Sequence, residues 1–492
     1  MSSIFNSPYK FIYLSGLIVF LIAAFFSEGY LHPDEHFQIL EFANYKLGFS
    51  PGEDLPWEFQ AQIRPALQPF LAMGVIRTLM FIHIDNPFTW AVILRLLTAL
   101  FSWFVISRMS FYMTREITDE YTKKMFLFIC FFLWFIPAIS VRFSSENYGG
   151  LTFLLALYSI LNGLDDTRKK KIINLVFGGL LLGFSFYFRF QMAFAILGLG
   201  IWLIFMKKLK WFDLGLIIFS GIISVFISTI VDYFFYEKWL CTPWNYFKEN
   251  IIADRASDFG VSPWWNYFKL FFETAFPPMS VVLLIFFFIG LFKKSKHVLT
   301  WCIIPFIIGH MMVGHKEMRF MFPMVFAFIF IASGGLRYLM ALDNYRKTIR
   351  VILTVCIIIN IPLLAINSIL PARDSVCYFR FLHNKYSDQK FELLSIGKNI
   401  YETVGLKVNF YKSKNIHSIV VADTAEVNEF LNTFQPDFIY YLQQDPSQDI
   451  SNQGYEKEDI YSLIPQWILK NNSNHWQDRT SIWKIEKLRR IK

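Results

Sequence analysis

Charge is scarce in this sequence. Asp, Glu, Lys and Arg make up 17% of the 492 residues, against 55% apolar and 19% aromatic residues, and the mean hydropathy is +0.40. Soluble domains carry about a quarter charged residues, so the two or three soluble domains that such a length would ordinarily suggest do not fit. The deficit is also uneven. Residues 1–370 hold 54 of the 85 charged side chains, about 15% of their positions, and 371–492 hold the other 31, about 25%. That pattern reads as a multi-span membrane protein with a polar tail. It excludes a water-soluble enzyme, a coiled coil and a nucleic-acid binder.

Cysteine is scarce as well. The five cysteines, at 130, 241, 302, 356 and 377, form no CxxC pair and no metal-ligand spacing. Cys130, Cys302 and Cys356 lie inside apolar runs as small buried hydrophobes. Only Cys241 and Cys377 could meet an oxidising compartment, where a disulfide between them is one option. A small-x-small cleavage pattern is missing after the first apolar run, which ends Phe25-Phe26-Ser27-Glu28, so that run is expected to stay as a span. The net charge of +9 divides into +8 over 1–370 and +1 over 371–492. The excess therefore follows membrane topology, and the tail offers no electrostatic footprint for nucleic acid.

What the sequence does have is long apolar runs. Eleven can serve as spans: 10–27, 88–112, 125–141, 149–163, 172–188, 192–206, 212–236, 276–292, 298–314, 320–340 and 351–370. With the N-terminus in the cytoplasm, the cytoplasmic segments collect 17 of the 31 basic residues of the membrane part, in clusters such as Arg168-Lys169-Lys170-Lys171. The positive-inside rule requires this distribution. The stretch 66–83, with Pro65, Pro69 and Arg77, would reverse every later loop if it spanned, and it is read as interfacial or re-entrant. The tail then lies on the external side.

The same topology gathers ionisable residues on the external face, within 28–65, 142–148, 189–191, 237–275 and 315–319. Such groups at the mouth of a helix bundle are costly and usually functional. Solvated loop charge is an adequate account of the two long segments, but a poor one for Arg142, Arg189 and His315-Lys316-Glu317-Met318-Arg319, which short loops pin between helices. The last of these places three potential cations against Glu317 alone, an arrangement suited to a phosphate at the membrane surface. A second cluster, His32-Pro33-Asp34-Glu35-His36, follows the first span. Pro33 with two acids behind it is an ordinary helix start. The same residues could instead supply a general base for a hydroxyl, or a metal site from two histidines on one helical face. Trp239, Trp244, Tyr246, Trp264, Trp265 and Tyr267 crowd one external loop, as an aromatic belt at the lipid interface, a sugar-stacking surface or a polyprenyl groove.

These residues resemble a known family. Leu31-His32-Pro33-Asp34-Glu35-His36-Phe37-Gln38 resembles the first-loop acidic motif of the dolichyl-phosphate-mannose-dependent mannosyltransferases of GPI-anchor and N-glycan assembly, closest to the GPI branch. Pro56-Trp57-Glu58 with Arg64 resembles a tryptophan-glutamate and arginine signature, and Val141-Arg142-Phe143-Ser144-Ser145-Glu146 an arginine-phenylalanine-serine stretch. Thr242-Pro243-Trp244-Asn245-Tyr246-Phe247, after Asp232 and Tyr236, is similar to a threonine-proline-x-asparagine motif. Ser257-Asp258-Phe259-Gly260 with Pro263-Trp264-Trp265 resembles a glycine and proline-tryptophan box. His315-Lys316-Glu317-x-Arg319-Phe320 with Pro323 is the most specific match. The sequence departs from the pattern at Arg189-Phe190-Gln191, where proline and threonine are usual, and at Ser145, where asparagine is usual.

The resemblance implies a GT-C-type fold: an all-α polytopic membrane bundle of about 11–12 spans, whose external loops form a cleft open to bilayer and water. It implies inverting transfer of mannose, or a similar hexose, from a polyprenyl-phosphate donor to a glycan or glycolipid, with no cofactor and no metal. Asp34 would be the general base, with Glu35 as its substitute or orienter. His315, Lys316, Arg319 and Arg189 would hold the donor phosphate. His32, Trp57, Glu58, Arg64, Arg142, Glu146, Trp244, Asn245, Trp264, Trp265 and Glu317 would contact substrate. The membrane domain is expected over 1–370. The tail 371–492 is expected to form a small α/β domain from Ile419-Val420-Val421, a helix over 424–434 and Phe438-Ile439-Tyr440-Tyr441. A transporter or flippase of polyprenyl-linked sugars could use the same charges without chemistry, but the halves show no self-similarity. A GT-C transferase with a protein or lipid A-like acceptor is the other alternative. The active site would face the endoplasmic reticulum lumen or a bacterial periplasm. Asn471-Asn472-Ser473 is a lone glycosylation sequon in the tail.

Overall fold

The computed structural model describes residues 4, 7–445, 448–450, 454–469 and 482–491; the sequon at 471–473 lies outside them. The chain forms two compact units. The first comprises Met1–Ser27, Trp57–Asp85 and Thr89–Leu370, and the second Glu28–Pro56, Asn86–Phe88 and Pro371–Lys492.

The first unit is helical, as an apolar segment in lipid must be if its backbone groups are to be paired within the segment. Each of the eleven apolar runs contains a helix, from Lys10–Phe26 to Asp343–Ile369. Among the described residues five helical stretches are long and apolar enough to cross a membrane, and five more apolar helices run 10–17 residues. The stretch read as interfacial or re-entrant is one of the short ones, Leu67–Phe81. At ~1.5 Å per residue a helix of that size falls short of a ~30 Å hydrocarbon core.

The run 125–141 was expected as one helix and is two, Glu120–Phe132 and Ile136–Ser140. Pro137, which has no N–H to give the preceding turn, sits at the start of the second piece. The backbone exposed by the break is satisfied from the last helix of the unit. Asn360 accepts the Trp134 N–H at 2.8 Å and donates to the Phe132 carbonyl at 2.7 Å, while Asn367 donates to the Trp134 carbonyl at 3.2 Å. Elsewhere helices meet through glycine. A Cβ on Gly290 would stand 1.9 Å from the Ile331 carbonyl oxygen, and one on Gly335 would stand 2.0 Å from that of Phe286. That backbone-to-backbone approach is how membrane helices gain packing where water supplies no drive.

The second unit is α/β. Its five-stranded sheet has the order β4-β1-β5-β7-β6, with β1 Phe391–Ile396, β4 Ile416–Val421, β5 Phe438–Gln443, β6 Tyr455–Ser462 and β7 Lys484–Arg490; β2 (Glu402–Thr403) and β3 (Leu406–Lys407) pair separately. β1 lies parallel to β4 and β5, and β7 is antiparallel to β5 and β6. Helix Thr424–Phe434 joins β4 to β5, capped by the Asp423 carboxylate on the Ala425 and Glu426 N–H groups. Its Val427 and Leu431 pack on Leu394, Ile396, Ile439 and Tyr441 of the sheet. The strand-helix-strand pattern read over 419–441 is therefore present.

All five cysteines are free, which corrects the disulfide option. Cys377 does not meet solvent as expected. It is buried, with its thiol 3.5 Å from Glu28 Oε2.

Candidate functional site

The basic cluster belongs to the first unit. Residues 313–317 run between helix Val298–Met312 and a 3₁₀ stretch Met318–Met324, in which Pro323 forbids an immediate α-helix. Four charged side chains form one chain of ion pairs. Arg189 Nη1 lies 3.0 Å and Arg319 Nη1 3.3 Å from the same Glu146 Oε1. Arg319 then grips Glu317 with two donors, Nε to Oε2 at 2.5 Å and Nη2 to Oε1 at 3.1 Å, and His315 Nε2 meets that Oε1 at 2.8 Å. Both guanidinium groups also lie over the Phe320 ring, 5.0 and 5.1 Å from its centre. Glu146 and Arg189 are buried, where ion pairs persist only when their hydrogen bonds are well made.

Lys316 departs from the expectation that it offers a point charge to a phosphate. Its ammonium donates to three backbone carbonyls, of Ser262 at 2.9 Å, Val313 at 2.7 Å and Gly314 at 3.3 Å. With three donors so used, it clamps the 257–263 loop to the cluster, alongside the Ser262 N–H bond to the Gly314 carbonyl at 2.9 Å. Burial pulls this ammonium below the ordinary lysine range. Counting Arg189, Arg319 and Lys316 against Glu146 and Glu317, the cluster keeps one positive charge in excess before His315 is considered.

A second polar set builds the loops beside it in sequence. Asp232, fully buried, accepts the Ala66 N–H at 2.8 Å and the Thr242 hydroxyl at 2.6 Å, and a short bond from the Tyr187 hydroxyl. Tyr236 donates to the Arg64 carbonyl at 2.7 Å, and Asn245 to that of Gln62 at 3.2 Å. The Thr242–Phe247 motif thus clips segment 62–66 in place, and Glu58 pairs with Arg64 there at 3.6 Å. Gln191, at the position that departs from the family pattern, donates a short bond to the Tyr246 hydroxyl. Arg142 is buried and gives two bonds of 2.6 Å to Ser27, from which it holds the end of the first helix. Trp57 lies under Arg255 at 5.1 Å. Trp244, Trp264 and Trp265 are exposed. The polar lattice of Asp232, Tyr187 and Ala66 was not legible beforehand, although an Asp inside the apolar run 212–236 was its one signal.

The acidic motif belongs to the second unit. His32 has extended backbone and its Nδ1 accepts the Asp34 N–H at 3.2 Å, with Pro33 opening the helix behind it. Glu35 Oε2 accepts the Leu31 N–H at 3.2 Å, in the manner of a reciprocal cap. The helix-start reading therefore describes the local geometry, and it leaves the side chain of Asp34, 3.6 Å from the cap nitrogen, about a quarter exposed at 26%. A π-helical turn, His36–Leu40, follows, then helix Glu41–Lys46. His36 is enclosed, with its Nε2 2.9 Å from Glu41 Oε1 and its ring stacked between Tyr30 and Tyr411. It therefore does not share an open face with His32. Glu41 was not singled out from the sequence; a carboxylate inside Ile39-Leu40-Glu41-Phe42 was the available signal.

Among the residues expected to act, the first unit brings together Arg189, Glu146, Arg319, Glu317 and His315. Glu58, Arg64 and Asn245 belong to the set that holds segment 62–66. His32, Asp34 and Glu35 form one turn of the second unit.

The crystal structure of ArnT from Cupriavidus metallidurans bound to undecaprenyl phosphate aligns with a TM-score of 0.57 over 98% of each chain at 10% identity, a likeness of fold. The chain accordingly has the GT-C-type fold, with apolar helices and a small C-terminal sheet domain, and is an integral membrane protein. GPI alpha-1,2-mannosyltransferase 3 of Bos taurus is 25% identical over 329 residues, 63% of this chain and 56% of that protein. GPI mannosyltransferase 4 of Candida albicans is 24% identical over 472 residues, 86% of this chain and 88% of that protein. The match spans little more than half the length of the first curated relatives, 56% and 57%. Residues 11–405 match the model of a family described as Alg9-like mannosyltransferases. As that match covers far more than half of its length, the chain belongs to the Alg9-like mannosyltransferase family.

Proposed function

We propose that this protein transfers mannose from a polyprenyl-phosphate donor to a hydroxyl of a glycolipid acceptor, with inversion at the anomeric carbon. The acceptor oxygen bonds to that carbon as the bond from carbon to the phosphate oxygen breaks, and polyprenyl phosphate leaves with the bonding electron pair. Asp34 takes the hydroxyl proton. An ordinary Asp is a weak base near pKa 3.9, so it acts late, as the oxygen turns acidic in the transition state. Arg319 and Arg189, with His315, hold the phosphate as its negative charge grows, through charge-assisted bonds worth a few kcal/mol each in a dry site. Lys316 contributes by holding the 257–263 loop rather than the phosphate.

The observation that carries this reading is the cluster beside Phe320 in which Arg189, Arg319 and Lys316 stand with Glu146 and Glu317, one positive charge in excess before His315 is considered. The bovine and Candida relatives, both named for GPI mannosylation, favour a glycolipid acceptor over a protein. The collection of basic residues in the opposite loops supports chemistry on the external face, in the endoplasmic reticulum lumen or a periplasm. The test is transfer of labelled mannose from a mannosyl polyprenyl phosphate to mannose-terminated glycolipids in proteoliposomes. Asp34→Asn should lower kcat by about 10³-fold while inserting normally. Near-normal turnover in that variant would remove Asp34 from the base role.

A further inference from the structure

The tail has no part in the reaction as written above, yet the segment that carries Asp34 folds with it. Three acids fasten Glu28–Pro56 to residues 372–410. The Glu28 carbonyl accepts the N–H groups of Ala372 and Arg373 at 2.7 and 3.0 Å, and its carboxylate meets Arg380 at 3.2 Å. Asp54 takes Lys407 at 2.8 Å and the Asn409 side-chain amide at 2.9 Å. Between them, Glu41 Oε1 accepts the backbone N–H groups of Asn409 at 2.7 Å and Phe410 at 2.9 Å, and faces His36 Nε2 at 2.9 Å.

The middle fastening is built unlike the other two. Glu41 is 2% exposed and His36 0%, so both were taken out of water, at a cost that their mutual bond and the two tail N–H groups on Glu41 Oε1 offset. The imidazole is sandwiched, with ring centres 5.0 Å from Tyr30 and 5.5 Å from Tyr411, and Phe88 stacks on the far side of Tyr411 at 4.8 Å. His36 opens the π-helical turn of residues 36–40 and Glu41 follows it, and His36 stands two residues after Asp34. Such turns are less regular than an α-helix and need outside support to keep one conformation. The tail holds this one at both ends.

We infer that His36, Glu41 and Tyr411 are positioning residues, through which the tail fixes the turn that bears Asp34. Asn409, Phe410 and Tyr411 lie beyond residue 405, where the match to the family model ends. The inference rests on Asp34 acting as the base.

The experiment uses the full chain in proteoliposomes, with mannosyl polyprenyl phosphate as donor and mannose-terminated glycolipids as acceptor, and compares Glu41→Ala, Tyr411→Ala, Tyr411→Phe and Asp34→Asn. Glu41→Ala and Tyr411→Ala should each lower kcat by about 30-fold with the donor KM within about two-fold, because orientation is lost and donor binding is not. Amide hydrogen exchange over 34–41 should rise in both. Tyr411→Phe, which keeps the stacked ring, should recover kcat to within about three-fold of the parent. Parental kcat, or unchanged exchange over 34–41, in both alanine variants overturns the inference, provided Asp34→Asn is inactive. If Asp34→Asn is active, it is the base assignment that fails. Should Glu41→Ala not reach the membrane, Glu41→Gln and Tyr411→Leu carry the same two readouts.

Discussion

The two ionisable clusters of this protein are stabilised by opposite means. In the membrane unit, Arg189, Glu146, Arg319, Glu317 and His315 compensate one another, side chain to side chain, along one chain of contacts. In the second unit, Glu41 is compensated by backbone N–H groups and a histidine held between rings. The first arrangement balances two arginines against two glutamates and adds His315, with Lys316 beside it as the cation in excess, which suits an anion that comes and goes. The second leaves nothing to exchange and fixes a backbone. On the proposed function a mobile ligand would be met by side-chain charge, while the geometry of the second cluster is held by main-chain bonds.

The sharpest way to break this contrast is to remove a member of the exchangeable chain. Arg319→Ala should cost about 10²–10³-fold in mannose transfer. Arg319→Lys should restore less than about a tenth of it, since a lysine keeps the charge but cannot reproduce the fork on Glu317. Equal recovery by lysine would show that charge alone matters there, and initial rates at saturating donor would decide it. Lys316 sharpens the contrast within a single motif, since it is a cation used on carbonyls. Lys316→Met should lose only about ten-fold, with amide exchange rising over 257–263 as the Ser262 and Val313 carbonyls lose the ammonium that joins them. A loss as large as that of Arg319→Ala, without faster exchange in the loop, would return Lys316 to the phosphate.

The smallest effect is expected at the exposed latch, Asp54 with Lys407. Burial alone would raise Asp54, but the Lys407 ammonium and the Asn409 amide hold its carboxyl below the usual range. Lys407 is raised in turn by the same carboxylate. A depressed acid adds stability above its unfolded value, and that is lost as pH falls through the folded one. A raised lysine adds stability below its unfolded value, and that is lost as pH rises through the folded one. The latch is therefore complete between about pH 4 and pH 10, and contributes no more than about 1 kcal/mol for so exposed a pair. Amide exchange in residues 50–56, corrected for its intrinsic pH dependence, should rise below this window in the parent but not in Asp54→Asn.

Much of the fold was legible because lipid leaves little choice. Each long apolar run contains a helix, since a helix pairs its backbone groups within the segment. The tail was legible for a related reason: Ile416–Val421, Thr424–Phe434 and Phe438–Gln443 carry strand, cap and helix signals within thirty residues of one another. The break at 133–135 was not legible. Pro137 was visible, but the partner that makes a break tolerable is Asn360, 226 residues away. Lys316 misled for the same reason, because a lysine beside a histidine and an arginine looks like a site until its carbonyl partners are known. Glu41 was visible only as an acid in apolar surroundings, and Asp232 only as that and as a residue ahead of the Thr242–Phe247 motif.

The sequence by itself determined a membrane bundle with an α/β tail, the order of its motifs and the residue types able to hold a phosphate and take a proton. Hydropathy, charge and local spacing are properties of neighbours along the chain. Only the tertiary structure decided that Arg189 and Arg319 share Glu146, that Lys316 serves carbonyls, and that Glu41 reaches residues 368 and 369 positions downstream. A buried polar atom must find its partner wherever the folded chain brings one, and nothing in its local sequence says where that is.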